Sequence, residues 1–159
     1  MPKIEKITKQ TENPYVNLYL VEGKNKVDHL FRYYVASRAK TMEALKIKTK
    51  KNTPDGVLMY SLYGEKRDKI VLVRQYRVSI DDYIYEFPAG LVESGEEFHE
   101  AAVREMHEET GLTFHPLKVD PCYEKPFFTT IGMTDEACSA VYGWCEGEIS
   151  RKYLEERSY

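Results

Sequence analysis

Cysteine is scarce, at three residues in 159, and Cys122, Cys138 and Cys145 form no Cys-x-x-Cys pair and have no histidine at zinc-ligand spacing. So small and odd a set excludes the disulfide framework of a short secreted domain and a structural zinc site, and reads as reduced, half-buried thiols. Long apolar runs are missing too: none approaches the ~18 residues that a membrane-crossing helix needs. The opening Met1-Pro2-Lys3-Ile4-Glu5 lacks the apolar stretch of a signal peptide. A cytoplasmic protein without a membrane partner is expected. The chain is also too short for two ordinary enzyme domains, which leaves one catalytic domain with a small appendage.

The net charge of −3 is segregated along the chain. Residues 1–52 hold twelve Lys/Arg against five Asp/Glu, or +7, leaving −10 for the rest. A basic N-terminal part suits a polyanionic substrate and an acidic remainder suits divalent cations. The run Lys46-Ile47-Lys48-Thr49-Lys50-Lys51 fits a solvated strand or loop equally well. Its lysines are scattered and sit in no nucleic-acid-binding module, so no nucleic-acid partner is expected.

Val16 to Val21 and His29 to Val35 are rich in β-branched and aromatic residues and read as a hairpin separated at Gly23. Gly56 to Tyr63 and Lys69 to Tyr76 read as a second hairpin, the latter apolar enough for a central strand. Tyr83 to Phe87 is a short strand stopped by Pro88. A helix follows, with Ser94 as its cap, Glu97 as capping-box partner, and Phe98, Ala101, Ala102 and Met106 as an apolar stripe; Gly111 ends it. Residues 112–137 are mostly loop, Cys138 to Cys145 is a strand, and Ser150 to Arg157 has a helical tinge.

Between Glu93 and Glu109 there are seven glutamates and one arginine, Arg104. Like charges at i, i+4 repel, so this density demands a neutralising partner. Glu105, Glu108 and Glu109 fall on one helical face within reach of a common hard cation, and Glu96 could join from the preceding turn. Oxygen ligands favour Mg2+ or Mn2+ over zinc. A solvated acidic face is the alternative. His99 and His107 form no metal-binding pattern and read as exposed helix residues.

Gly90, then Glu96, then Arg104-Glu105-Met106-His107-Glu108-Glu109-Thr110-Gly111-Leu112 resembles the Nudix box at every defined position. The resemblance implies an α/β (α+β) fold, the Nudix α/β/α sandwich with a mixed sheet, here carrying an N-terminal antiparallel β extension. It divides the chain into residues 1–52, a dimerisation and substrate-gripping region, and residues 53–159, the hydrolase domain. It implies Mg2+-dependent hydrolysis of a nucleoside diphosphate derivative. Glu105, Glu108 and Glu109 resemble the metal ligands, with Glu96 and the carbonyl of Ala89 beside them, and Arg104 resembles the residue that orients a box glutamate.

Val73-Arg74-Gln75-Tyr76-Arg77 and Glu86-Phe87-Pro88-Ala89-Gly90 resemble the ADP-ribose pyrophosphatase branch. That makes Arg77 and Glu86 candidates for holding substrate, with Arg74 as an alternative. Gly132-Met133-Thr134-Asp135-Glu136 resembles the branch's catalytic loop. Gly132 and Met133 then face substrate, and Glu136 activates water, joining Arg104 and Glu109 as catalytic candidates. Ile131 stands where the branch has proline, in a longer loop that leaves Asp135 and Glu124 as alternative bases.

The branch also grips adenine between subunits, for which Phe31, Tyr33 and Tyr34 are candidates, with core or dimer packing as the other reading. Tyr159 precedes the strand and helix with which the family's domain usually finishes, so either the sequence is truncated or a partner subunit covers that sheet face, and a homodimer is expected. Other nucleotide sugars or dinucleotides are alternative substrates. A non-catalytic ADP-ribose-binding Nudix domain is the reading from another class, and the complete glutamate set argues against it.

Overall fold

The structure, a computed structural model, describes residues 1–150 and 152. The helical reading at 150–157 falls almost wholly outside them. Two compact units form: residues 1–53 with 128–137, and residues 54–127 with the chain from Cys138 onward. Each is described by itself.

The first unit is a three-stranded antiparallel sheet in the order β1 (Lys3–Lys9), β2 (Asn17–Lys24), β3 (Leu30–Ser37). The expected β2–β3 hairpin is present, but Gly23 does not separate the strands. It lies within β2 opposite Phe31, where a Cβ would stand 2.2 Å from the Lys3 carbonyl oxygen of β1. Glycine there permits backbone approach, and the turn is made by Asn25 to Asp28. The Asn25 side-chain oxygen accepts from the backbone N–H of Val27 and His29, each at 3.0 Å, and Asp28 takes a left-handed φ of 64°.

β1 was not legible beforehand. Its pattern Lys-Ile-Glu-Lys-Ile-Thr-Lys is exposed over its first half, as suits an edge strand blunted by lysine. The lysine run also departs from the strand or loop reading, for Lys46–Thr49 is a single helical turn, α1, ended by Lys50 at φ 57°. Leu45, 1% exposed, anchors its start in the unit's interior.

The second unit is built on a mixed sheet. β4 (Gly56–Tyr63) runs parallel to β11 (Ala137–Glu146). The other edge of β4 is shared by β5 (Lys69–Ile70) and β8 (Ala89–Leu91), both antiparallel to it and at opposite ends. β9 (Thr113–Pro116) pairs antiparallel with β11, and β10 (Phe127–Phe128) lies where the chain leaves the unit.

The reading of Lys69 to Tyr76 as one central strand is corrected. After β5 the chain buries Val71, turns outward at Leu72, and continues as β6 (Val73–Arg77), which pairs with β7 (Asp82–Glu86) in a separate two-stranded ribbon. An apolar run has no mark for the residue at which it leaves a sheet.

α2 (Phe98–Thr110) packs Ala101, Ala102 and Met106, all fully buried, against Val57 and Met59 of β4, Val141 of β11, Leu112 and Phe114. Its cap differs from expectation. Gly95, at φ 86°, sits in a turn closed by Glu96 N–H to the Glu93 carbonyl, so the helix begins past Ser94. Glu97 is the N-cap, its carboxylate accepting from His99 N–H at 2.8 Å. Gly111 ends the helix at φ 76°, as expected. The mixed α+β architecture agrees with the sequence reading, although α2 is the only helix longer than one turn among the described residues. None of their helices is long and apolar enough to cross a membrane.

Removing Met106 from the centre of this core should leave a cavity under β4. Met106→Ala is expected to lower the unfolding free energy by ~2–5 kcal/mol in urea titration, and a loss below about 1 kcal/mol would contradict the packing described.

Candidate active site

The site grows from one contact between a strand and a helix. Gly90, in β8, lies against the buried carboxyl of Glu105, in α2: a Cβ built on Gly90 would stand 1.9 Å from the Glu105 carboxyl carbon. Any side chain at position 90 would displace that carboxylate, which is 6% exposed. The glycine is required for space.

A buried carboxylate needs a partner, and Arg104 supplies it. One guanidinium nitrogen, Nη1, donates to Glu105 Oε1 at 2.9 Å and to Glu108 Oε2 at 3.2 Å. Nε and Nη2 grip the two oxygens of Glu96, each at 2.9 Å, and Nη2 also donates to the Leu91 carbonyl at 3.0 Å. Arg104 thus ties α2 to the preceding turn and to β8. Its hydrogen bond, with that from Glu93 N–H, lowers the Glu96 pKa to about 2, and Arg104 itself is held above its ordinary range, chiefly by Glu96.

Glu109 is in a different position. Burial pushes its pKa up to about 7 against an opposing hydrogen bond from Ala89 N–H at 3.2 Å, with Glu105 and Glu86 raising it further and Arg77 lowering it. Three carboxylates therefore share the Arg104 guanidinium, and Glu109, outside that set, tends to keep its proton. Such an oxygen-rich, under-neutralised set fits a hard divalent cation. Among the described residues, no three His, Cys, Asp or Glu side chains converge closely enough to hold a metal ion. Arg104 Nη1 stands between Glu105 and Glu108, bonded to one oxygen of each.

The β6–β7 ribbon brings in two further candidates. Arg77 and Glu86 form a forked ion pair, with Arg77 Nε 3.0 and 3.1 Å from the two Glu86 oxygens. Their opposing influences on Glu109 place both beside the glutamate cluster. Arg74, the alternative, instead lies over the Tyr83 ring, 4.3 Å from its centroid. Ala89 takes part through its N–H, and the role of its carbonyl rests on the resemblance.

Gly132, Met133 and Glu136 belong to the first unit, where Glu136 pairs with Arg38, a residue with no signal in the sequence. Tyr33 and Tyr34 are 45% and 51% exposed, so neither is a core residue, and the Tyr33 hydroxyl donates to the Gly132 carbonyl. The alternative bases are both engaged. Asp135 Oδ2 accepts from Lys46 N–H at 3.3 Å, and Glu124 Oε1 lies 2.8 Å from His99 Nε2. His99 is consequently not the exposed helix residue that the sequence leads one to expect. It is half-buried between Glu97 and Glu124, and those two carboxylates raise its pKa against the lowering effect of burial. The three cysteines are free thiols.

A family model described as the NUDIX domain matches residues 52–150, and the chain belongs to that family. Members generally use divalent metal ions. Among its relatives, an ADP-ribose pyrophosphatase of Saccharomyces cerevisiae is 35% identical over 80 residues, covering 49% of this chain and 35% of that protein. An ADP-sugar pyrophosphatase of Mus musculus is 36% identical over 87 residues, covering 53% and 40%. The chain thus aligns with well under half the length of these curated relatives. A crystal structure of an ADP compounds hydrolase shares the fold at a TM-score of 0.68 and 18% identity, covering 99% of this chain and 72% of that one.

Glu109 gives the metal-free protein a pH signature. Its folded pKa, about 7, lies above the ordinary 4.5, so this group's contribution to stability is full below about pH 4.5 and is lost as pH rises through 7. Urea unfolding in chelator should show that decline between pH 4.5 and 7, and Glu109→Gln should flatten it. Matching profiles for the two proteins would remove Glu109 as its source.

Proposed function

We propose that the protein is a divalent-metal-dependent pyrophosphohydrolase of nucleoside diphosphate derivatives, acting on ADP-ribose to give AMP and ribose 5-phosphate. The observation that carries the reading is the Gly90–Glu105 contact with Arg104 bound to Glu96, Glu105 and Glu108. A merely solvated acidic helix face would not bury Glu105 or clear a strand of side chains above it. The names of the yeast and mouse relatives support the pyrophosphatase reading and its ADP-containing substrate.

Mg2+, with Mn2+ as a substitute, would be held by Glu105, Glu108 and Glu109, with Glu96 and the Ala89 carbonyl contributing. When bound, it neutralises the diphosphate and lowers the pKa of a water. The chain's own residues do the rest. Arg104 keeps Glu96 ionised and limits where Glu105 and Glu108 can point. Arg77 and Glu86 hold the substrate, the guanidinium toward its phosphates and the carboxylate toward its hydroxyls or base. On the resemblance, the carboxylate of Glu136 takes the proton of the attacking water as that water adds to phosphorus and the bridging P–O bond breaks. Glu109, freed of its proton, completes the acidic set.

A homodimer through the N-terminal strands belongs to the same proposal, supported by the exposure of Leu30, Tyr33 and Tyr34 on β3. Sedimentation at micromolar concentration should show twice the monomer mass, and a stable monomer would refute it.

A panel of ADP-ribose, nucleotide sugars, dinucleoside polyphosphates and a reduced dinucleotide, assayed with Mg2+ for nucleoside monophosphate release, tests the reaction. ADP-ribose should turn over fastest, chelator should abolish activity, and Glu108→Gln should slow it by at least ~100-fold. Turnover that persists in excess chelator would sink the metal-dependent reading. Tight binding of ADP-ribose with no hydrolysis would make the protein a binding domain.

A further inference from the structure

The segment carrying Glu136 is fastened to the end of β3. Ala36 N–H donates to the Met133 carbonyl at 2.8 Å, Asp135 N–H donates to the Ala36 carbonyl at 3.4 Å, and Ala36 and Thr134 form a parallel bridge. The Tyr33 hydroxyl holds the Gly132 carbonyl, and α1 holds Asp135 through Lys46 N–H. The segment also braces itself, for Met133 and Thr134 N–H donate to the Thr130 carbonyl, and Glu136 N–H donates to Thr134 Oγ1 at 3.1 Å. With the backbone fixed on the N-terminal side of Glu136 and Ala137 fully buried after it, the freedom left to this residue is rotation of its side chain.

Arg38 removes that freedom. It follows β3 directly, and its Nε donates to Glu136 Oε1 at 2.7 Å. The two side chains, 42% and 28% exposed, line a cavity of about 300 Å³ together with Val16, Thr130 and Met133. An ion pair this open to water adds little to folding stability. A short charge-assisted hydrogen bond nevertheless selects one orientation for a side chain that otherwise samples several rotamers.

We infer that Arg38 is a positioning residue: it holds the Glu136 carboxylate in one orientation at the cavity, so that the N-terminal sheet sets the geometry of a base carried 98 positions later. The inference rests on the reading of Glu136 as the water-activating group. It gives residues 1–52 a task beyond dimerisation and substrate gripping, since the strand that ends at Ser37 aims the reacting carboxylate.

The test compares Arg38→Met, Arg38→Lys, Glu136→Gln and the double variant Arg38→Met/Glu136→Gln, with ADP-ribose and Mg2+, each first checked for an unchanged melting transition. Arg38→Met should lower kcat by ~10- to 100-fold, as misplacing a catalytic group does, with KM within about 2-fold of the parent. Arg38→Lys, which keeps a cationic donor, should recover most of that loss. In the Glu136→Gln background, Arg38→Met should change kcat by less than about 2-fold, because there is no longer a base to aim.

An impaired Glu136→Gln beside an Arg38→Met enzyme with kcat near or above the parent's would overturn the positioning role and leave the base reading standing. Equal losses from Arg38→Met in both backgrounds would do the same. Parental turnover in Glu136→Gln would overturn the base reading instead, and the inference with it. Should Arg38→Met fail to fold, Arg38→Gln takes its place in every comparison.

Discussion

The second unit depends on the burial of one negative charge. Glu105 lies inside the packed region between β8 and α2, and an unpaired carboxylate there would carry a desolvation penalty too large for a domain of this size. The fold answers with Arg104, which spends every face of its guanidinium on protein oxygens. Once Arg104 is fixed, Glu96, Glu108 and the Leu91 carbonyl are fixed with it, and the turn 93–96 is pinned to the helix it precedes. Arginine suits this place and lysine would not, because five hydrogen bonds to protein oxygens are made here and an ammonium has only three donors.

The arrangement also explains the unequal fates of the carboxylates. Glu96, doubly gripped, is held ionised well below the usual carboxylate range, whereas Glu109 has a single backbone donor and only the field of Arg77 to offset its burial. A shortage of positive charge is therefore built into the protein itself. The cluster is a partly compensated set of carboxylates in which Glu109 is the one most ready to hold a proton.

Much of this was legible in the sequence because it is local. Helical spacing alone brings Glu105, Glu108 and Glu109 to one face, and Gly90 stands at a fixed interval before them. The buried stripe of α2 and the glycine that ends it were equally plain. What escaped was non-local or set by packing. Nothing in Lys69 to Tyr76 marks the point after Val71 at which the chain deserts β4, because the apolar run Ile70-Val71-Leu72-Val73 continues across it. Ser94 has the chemistry of a helix cap, but the turn at Gly95 takes it out of line. The pairs Arg38–Glu136 and His99–Glu124 join residues far apart in the chain, and neither periodicity nor spacing foretells such partners.

The β6–β7 ribbon has its own dynamic implication. A hairpin that pairs with no further strand and exposes Tyr76, Tyr83 and Tyr85 has little to make it cooperative with the rest of the protein. Its amides are expected to exchange with solvent through local opening, ahead of those in the strands around β4. Arg77 and Glu86 sit at the ends of this ribbon, and both bear on the charge of Glu109. Opening of the two strands would move both charges relative to Glu109, so the ionisation of a helix residue would depend on the closure of the ribbon.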